Sequence, residues 1–220
     1  MPSSLDYYRL LIDGLWVTIA LTLASSAVAL AVAFIVGLAG ASGSRLLRGL
    51  AVCYTGFFRG TSSLVQLFWA FYVLPFFGID LPAMTVGILV LGLNVGAYSA
   101  EVVRGAILAV PRDQHEAALA INLGRWQRLR HVILPQALPL MLPPFGNNIV
   151  ELLKMTAIVS LITINELTFQ AQAIRSATGE TLFPYLAILV LYYLLSLGFT
   201  APVKWLEGRL TAHRRGVSRS

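Results

Sequence analysis

Glu151 and Lys154 stand one helical turn apart in a stretch that is otherwise largely apolar. Opposite charges at i and i+3 can pair with each other, or they can face a shared solute and meet the two ends of a zwitterion. Asn94, Tyr98 and Glu101 are spaced i, i+4 and i+7, so they share one helix face. They either line a route for a polar solute or bridge helices by hydrogen bonds, worth about 0.6 kcal/mol each in a bilayer. Gln66 carries the same two readings. All of this chemistry is reversible binding. The single cysteine, Cys53, makes neither a disulfide nor a thiolate metal site, and His115, His131 and His213 are too scattered to hold a metal. No GxxxxGK[ST] phosphate loop occurs, so we expect no catalytic residue and no cofactor bound by this chain.

The elements that must position these residues are membrane spans. Hydrophobic residues make up 57% of the 220, and charged residues only 12%, about half of what a soluble domain carries. Charge-free runs cover 14–44, 60–79, 81–100 and 181–203, with lengths of 31, 20, 20 and 23 residues. A spanning helix needs about 20 apolar residues, and buried soluble helices rarely repeat that length. The first run is too long for a secretory signal and follows Asp6, Arg9 and Asp13 rather than a basic cluster. The reading is a single all-α, polytopic membrane domain over 1–220 with five spans, near 14–39, 58–77, 83–107, 136–163 and 183–205. Pro139, Pro143 and Pro144 predict that the fourth is kinked and central, because freed carbonyls must be satisfied away from lipid. Trp16 and Trp205, near span ends, read as interface anchors. Tyr192 and Tyr193 read as packing residues, and only the last eight residues look disordered.

Basic residues orient the bundle. With the start of the chain outside, Arg45, Arg48 and Arg59 fall at the first inner loop or its helix ends. Arg104, Arg112, Arg125, Arg128 and Arg130 fall at the second, and Lys204, Arg209, Arg214, Arg215 and Arg219 follow the last span. That puts 13 of 16 Lys/Arg inside, with only Arg9 and Arg175 outside. The net charge of +6 therefore reports topology and anionic lipid rather than nucleic acid. The expected location is a bacterial inner membrane, with a periplasmic N-terminus and a cytoplasmic C-terminus.

The two inner loops differ in kind. Residues 40–50 read as a short Gly/Ser/Arg turn. Residues 108–135 are too long for a plain connection and should carry structure. Asp113 can cap a short helix through Ala120, with Glu116 three residues on. Leu119 and Leu123 would share a face, and Ala117 and Ala118 are small enough for another surface to approach. A helix lying on lipid would fit the same pattern.

The loop resembles the EAA loop of ABC importer permeases. It supplies Glu116-Ala117-Ala118, then Val132, Leu134 and Pro135 at the later positions, with Asn122 where the family has glycine. Asn is the next most tolerant residue if that position needs positive φ. Further motifs resemble the polar amino-acid permeases: Phe58-Arg59-Gly60-Thr61 with Leu64-Val65-Gln66, Ala97-Tyr98-Ser99-Ala100-Glu101 with Arg104-Gly105, Leu134-Pro135-Gln136-Ala137, and Leu152-Leu153-Lys154 with Thr156. The family's Asp-Thr-Ser after the lysine is replaced by Met155-Thr156-Ala157. Pro143-Pro144-Phe145-Gly146-Asn147 and Gly92-Leu93-Asn94 look most like ectoine/hydroxyectoine permeases.

The resemblance implies a transport subunit rather than an enzyme. ATP and Mg would be used by a separate ABC ATPase dimer, with cargo delivered by a periplasmic solute-binding protein and the pore shared with a second permease subunit. Glu116, Ala117, Ala118, Leu119, Ala120, Asn122 and Leu123 would couple to the ATPase. Gln66, Asn94, Tyr98, Glu101, Glu151 and Lys154 would be the pathway candidates. Cargo would be a polar amino acid or ectoine-like osmolyte, moved by alternating access. A secondary transporter or channel is the other class considered, but the paired halves many such transporters show are absent.

Overall fold

The computed structural model describes residues 4–217, with side chains described for 7–209. The described chain is helical throughout. α1 is Ser4–Gly40, α2 Arg45–Gly60 and α3 Ser63–Phe68, the last continued by a π turn, Trp69–Val73, and a 3-10 turn, Leu74–Phe77. α4 is Ala83–Leu108, α5 Arg112–Ala120 and α6 Arg125–Arg128. A π turn, Leu129–Ile133, leads into α7, Leu134–Met155, and a 3-10 turn, Thr156–Ile162, ends that run. α8 is Leu167–Thr178 and α9 Leu182–Val217. Four stretches are long and apolar enough to cross a bilayer: Tyr7–Ala41, Ala83–Leu108, Arg125–Ile162 and Leu182–Arg209. A fifth crossing is possible if α2 and the α3 run, bent by 98° at their junction, count together.

α1 and α4 form the tightest seam. A Cβ on Gly92 would sit 2.7 Å from Val28 Cβ, and one on Gly37 would sit 2.6 Å from Val103 Cβ. Small residues recur every four positions on both sides: Ser25, Ala29, Ala33 and Gly37 on α1, Gly92, Gly96 and Ala100 on α4. Lipid gives helices no hydrophobic reason to associate, so close backbone approach and dispersion must supply the attraction. Residue numbers rise together along this seam, from Val28 against Gly92 to Gly37 against Val103. α1 and α4 are therefore parallel, and the bent α2–α3 pair must carry the chain back across between them.

α7 runs the other way, with Met141 clustered near Val103 and Leu152 near Val95. α9 reverses again, since Gly146 meets Val203 and Tyr192 lies near Thr156. One face of the bundle thus carries α5, the 41–44 turn and the end of α9, and the opposite face carries α8 and the start of α1. The outward side of α9 exposes Leu186, Leu189, Tyr193, Leu194 and Leu197, a surface suited to hydrocarbon.

Several expectations change. The second crossing was expected over 58–77, but α2 begins at Arg45, so the turn is confined to 41–44. Arg45, Arg48 and Arg59 lie on this half and interrupt its apolar run. Arg59 does not sit at the α5 face. It lies beside the break, near the half-depth of α4, with its guanidinium 5.2 Å from the centre of the Tyr98 ring. The connection 164–182 between the last two expected spans holds a helix, α8. α1 starts at Ser4, which places Trp16 well inside the apolar stretch Tyr7–Ala41 rather than at its end. Trp205 is exposed and stacks on the Arg209 guanidinium at 4.0 Å. α9 stays helical to Val217, where disorder was expected from residue 213, and 218–220 lie outside the described residues. α7 runs on through Pro139, Pro143 and Pro144, packed on α4, α1 and α9.

The α1–α4 seam yields a direct test. Gly37→Leu should destabilise the fold by about 1–3 kcal/mol through overpacking. Gly43→Leu, where an added Cβ meets nothing within 4 Å, should be silent. Thermal unfolding of both purified variants in detergent, followed by size-exclusion chromatography, measures this.

Candidate functional site

The α2–α3 junction sets the site. Thr61 and Ser62 are extended, with φ/ψ of −119°/151° and −68°/131°. Gly60 and three consecutive hydroxyl residues are poor helix formers, which explains a break at this point. Breaking a helix inside a membrane frees backbone groups that no water can reach. Here side chains meet them. Gln66 Nε2 donates to Phe58 O at 3.1 Å, to Thr61 O at 3.3 Å and to Thr61 Oγ1 at 2.6 Å. Asn94 Nδ2 donates to Phe58 O at 2.9 Å and to Gln66 Oε1 at 3.2 Å. Gln66 and Asn94 thus hold the broken ends, which is the helix-bridging alternative for both.

Beside the break lies a cavity of about 500 Å³ lined by Thr61, Ser62, Ser63, Asn94, Val95, Tyr98, Asn148, Glu151 and Met155. Asn148 donates to Ser99 Oγ at 2.9 Å, fixing α7 against α4. Asn147, Glu151 and Lys154, at i, i+4 and i+7, form an exposed polar stripe on α7. Left facing lipid at the bilayer centre, each charge would cost about 2.5–3.5 kcal/mol. A stripe of this kind faces water, a solute or another subunit.

The expected pathway residues separate. Asn94, Tyr98 and Glu151 line the cavity; Gln66 braces the break behind it, and Lys154 lies outside it. Glu101 is elsewhere, with Oε2 accepting from Arg104 Nε at 3.0 Å and Nη2 at 2.7 Å. It shares a face with Asn94 but lies about 10 Å further along the axis. Glu151 and Lys154 do not pair, whereas Glu101 and Arg104 do. Thr61, Ser62, Ser63 and Asn148 were missed. A run of hydroxyl residues after glycine inside an apolar stretch was the available signal.

The α5 face is the second candidate region. α5 starts at Arg112 after Pro111, so Asp113 sits in the first turn and is not the cap. Proline has no N–H to lose there, and its fixed φ favours the position just ahead of the helix. The helix ends in a Schellman motif: Leu123 N–H donates to Ala118 O at 3.0 Å and Asn122 N–H to Leu119 O at 2.9 Å. Asn122 has φ 61°, the left-handed conformation its side chain tolerates. Leu123 therefore lies past the helix end, and it does not share a face with Leu119. Ala118 is buried, while Glu116, Ala117, Leu119 and Ala120 are exposed. Gln136 Nε2 donates to Gln114 Oε1 at 3.1 Å, tying α5 to the foot of α7. Exposed Leu119, Ile121 and Trp126 add apolar surface to the same face.

A third polar node was not foreseen. Glu166 is fully buried and caps α8, with Oε2 accepting from Thr168 N–H and Oε1 from Phe169 N–H, both at 2.8 Å. Tyr192 Oη–H donates to Oε2 at 2.8 Å, so Tyr192 is a hydrogen-bonding residue rather than simple packing. Tyr193 points outward and is exposed. Burial pushes the Glu166 carboxyl above its ordinary range, against the pull of these donors.

The pattern of the family described as "Binding-protein-dependent transport system inner membrane component" matches residues 29–212. The probable amino-acid ABC transporter permease protein y4tF of Sinorhizobium fredii is 42% identical over 219 residues, 96% of this chain and 92% of that protein. The L-cystine transport system permease protein TcyB of Bacillus subtilis is 36% identical, covering 86% of this chain and 82% of its own. The glutamine transport system permease protein GlnP of Escherichia coli is 33% identical, with 91% and 93% covered. A crystal structure of an amino acid ABC transporter with histidines superposes with a TM-score of 0.86 at 34% identity, over 95% of this chain and 100% of that one. An inward-facing structure of the MetNI methionine ABC transporter shares the fold, with a TM-score of 0.82 at 21% identity over 94% and 99%. These relatives are transport subunits rather than enzymes, and this chain belongs to the family of binding-protein-dependent transport system inner membrane components.

Proposed function

We propose that the chain is the permease subunit of an ABC importer that carries amino-acid-like zwitterions through the cavity at the α2–α3 break. The observation that carries this reading is a polar cavity, with Glu151 in its wall, inside an otherwise apolar bundle. Three hydroxyl residues and two side-chain amides offer neutral hydrogen bonds, and Glu151 offers one carboxylate to an ammonium group. Lys154, one turn further on, and Tyr98 complete the surface a solute would pass. The relatives named for cystine and glutamine support an amino-acid cargo. An ectoine-type osmolyte, also a compact zwitterion, rests on the resemblance at Pro143–Asn147 and Gly92–Asn94.

The α5 face is the docking surface for an ABC ATPase dimer, which uses ATP and Mg to drive alternating access. Glu116, Ala117, Leu119 and Ala120 form its exposed part, and Ala118, Asn122 and Leu123 fix its shape. A second permease subunit, identical or related, covers the polar stripe of α7. A periplasmic binding protein delivers cargo to the α8 face, which makes the α5 face cytoplasmic.

Three experiments test these assignments. Cysteine labelling in a Cys53→Ala background fixes orientation: Ser176→Cys should react with an impermeant reagent in intact cells, and Trp126→Cys only after permeabilisation. The reverse pattern would invert the topology. Glu116→Lys or Ala117→Trp should lower solute moved per ATP several-fold while leaving insertion intact. Asn122→Gly should keep that ratio, whereas Asn122→Val should strain the helix end by about 1–2 kcal/mol and lower it. Normal transport in every one of these variants would remove α5 from the coupling path.

For the cavity, Glu151→Gln should insert normally yet cut cargo-stimulated ATP hydrolysis by roughly tenfold, the scale of one lost hydrogen bond to a charged group. Uptake at the wild-type rate by the double variant Glu151→Gln, Lys154→Met would refute a cargo role for both residues.

A further inference from the structure

Glu166 is not in the cavity lining and lies on the face opposite α5, and neither assignment uses it. Its surroundings are more fully specified than those of any other charged group among the described residues. The chain reaches it through Thr163, a β-branched residue held at φ 67°. That conformation is rare for such side chains and persists only where neighbours over-determine it. Ile164 N–H donates to Val159 O and Glu166 N–H to Ile164 O, so the turn is closed on both sides. It delivers the carboxylate into a fully buried position with no cation beside it.

Donors from two elements then converge. α8 gives the Thr168 and Phe169 N–H groups, and α9 gives the Tyr192 hydroxyl. That hydroxyl also lies 3.3 Å from Thr168 Oγ1 and 3.4 Å from Thr156 Oγ1, at the end of the fourth crossing. The remaining early amides of α8 are met as well. Leu167 N–H donates to Thr18 Oγ1 of α1 at 3.2 Å, and Gln170 N–H donates to Glu166 O at 3.0 Å. A buried polar network satisfied at every member has one arrangement, and its members are displaced together or not at all.

We infer that Glu166 is a positioning residue: through Tyr192 it fastens α8 and the end of the fourth crossing to α9, so that this face of the permease shifts as one body during transport. The role rests on the ATP-driven reading above only for the word transport; the fastening itself is independent of it.

The test uses the complete transporter in nanodiscs, with its ATPase and binding protein. Spin labels at Ser176→Cys and Asp80→Cys, in a Cys53→Ala background, report the distance from α8 to the start of α4, nucleotide-free and trapped with ATP and vanadate. Hydrogen exchange reports the amides of 167–178. Tyr192→Phe is the gentle variant, removing one hydroxyl. It should raise exchange across 167–178 by about tenfold. It should broaden the distance distribution and shrink the vanadate-induced change, while basal ATP hydrolysis stays within twofold of wild type.

Glu166→Asp keeps a carboxylate able to cap α8 but too short to reach Tyr192, and should behave like Tyr192→Phe. Wild-type distances in Glu166→Asp would show that the cap alone matters and would overturn the link to α9. Unchanged exchange and distances in Tyr192→Phe would overturn it equally. A wild-type transporter that shows no vanadate-induced change at all would count against the ATP-driven reading instead. The nucleotide-free exchange and distance widths would still decide the fastening.

Discussion

The seam between α1 and α4 is the constraint on which the rest of the bundle depends. Hydrocarbon does not squeeze apolar helices together, so two of them stay joined only where their backbones come close. Gly37 and Gly92 permit that approach, and each would bring a side-chain Cβ to within 2.7 Å of a valine carbon if it were alanine. The seam fixes two parallel crossings with an intervening return. That return is α2 and α3, so their break lies against the middle of α4 rather than in water.

The break in turn requires polar side chains. Phe58 O and Thr61 O are left without helical partners at the break, and Gln66 and Asn94 are placed to satisfy them. Polarity introduced for the backbone then shapes the space beside it. The cavity wall inherits Asn94 and the hydroxyls of 61–63, and α7 adds Asn148 and Glu151. The same physics operates on the opposite face, where α8 begins inside the protein and Glu166 satisfies its first amides. In both places a helix end has been met by a side chain two to eight residues away or by a neighbouring span.

The four long apolar crossings and the helix of the α5 loop were legible because length and apolar content are local properties. Asn122 was legible too, since a single backbone conformation decides which residues fit. What was not legible depends on depth and on partners. Arg59 looks like an interface residue until α2 is seen to run inward from Arg45. Glu151 and Lys154 look like a pair because their spacing allows it, yet spacing does not say whether a cavity competes for one of them. Glu101 shares a face with Asn94 and Tyr98, but Arg104 one turn on takes its carboxylate. Glu166 lies in a stretch with no periodic signal, and its burial arises from Thr163 and Tyr192, three residues before it and 26 after.

The order in which the crossings are made has a consequence for assembly. α1 finds its main partner only when α4 exists, and 68 residues, 41–108, separate the end of one from the end of the other. At a synthesis rate of about 5–20 residues per second, α1 is without α4 for roughly 3–14 s. It is suited to that interval. Its stretch Tyr7–Ala41 contains the most apolar segment among the crossings, and Thr18 and Thr22 donate to carbonyls of their own helix. α4, with Asn94 at its centre, emerges only after α2 and α3 have brought Phe58 and Gln66 to meet it. Asn94 is therefore made when the groups it meets, Phe58 O and Gln66, are already in place.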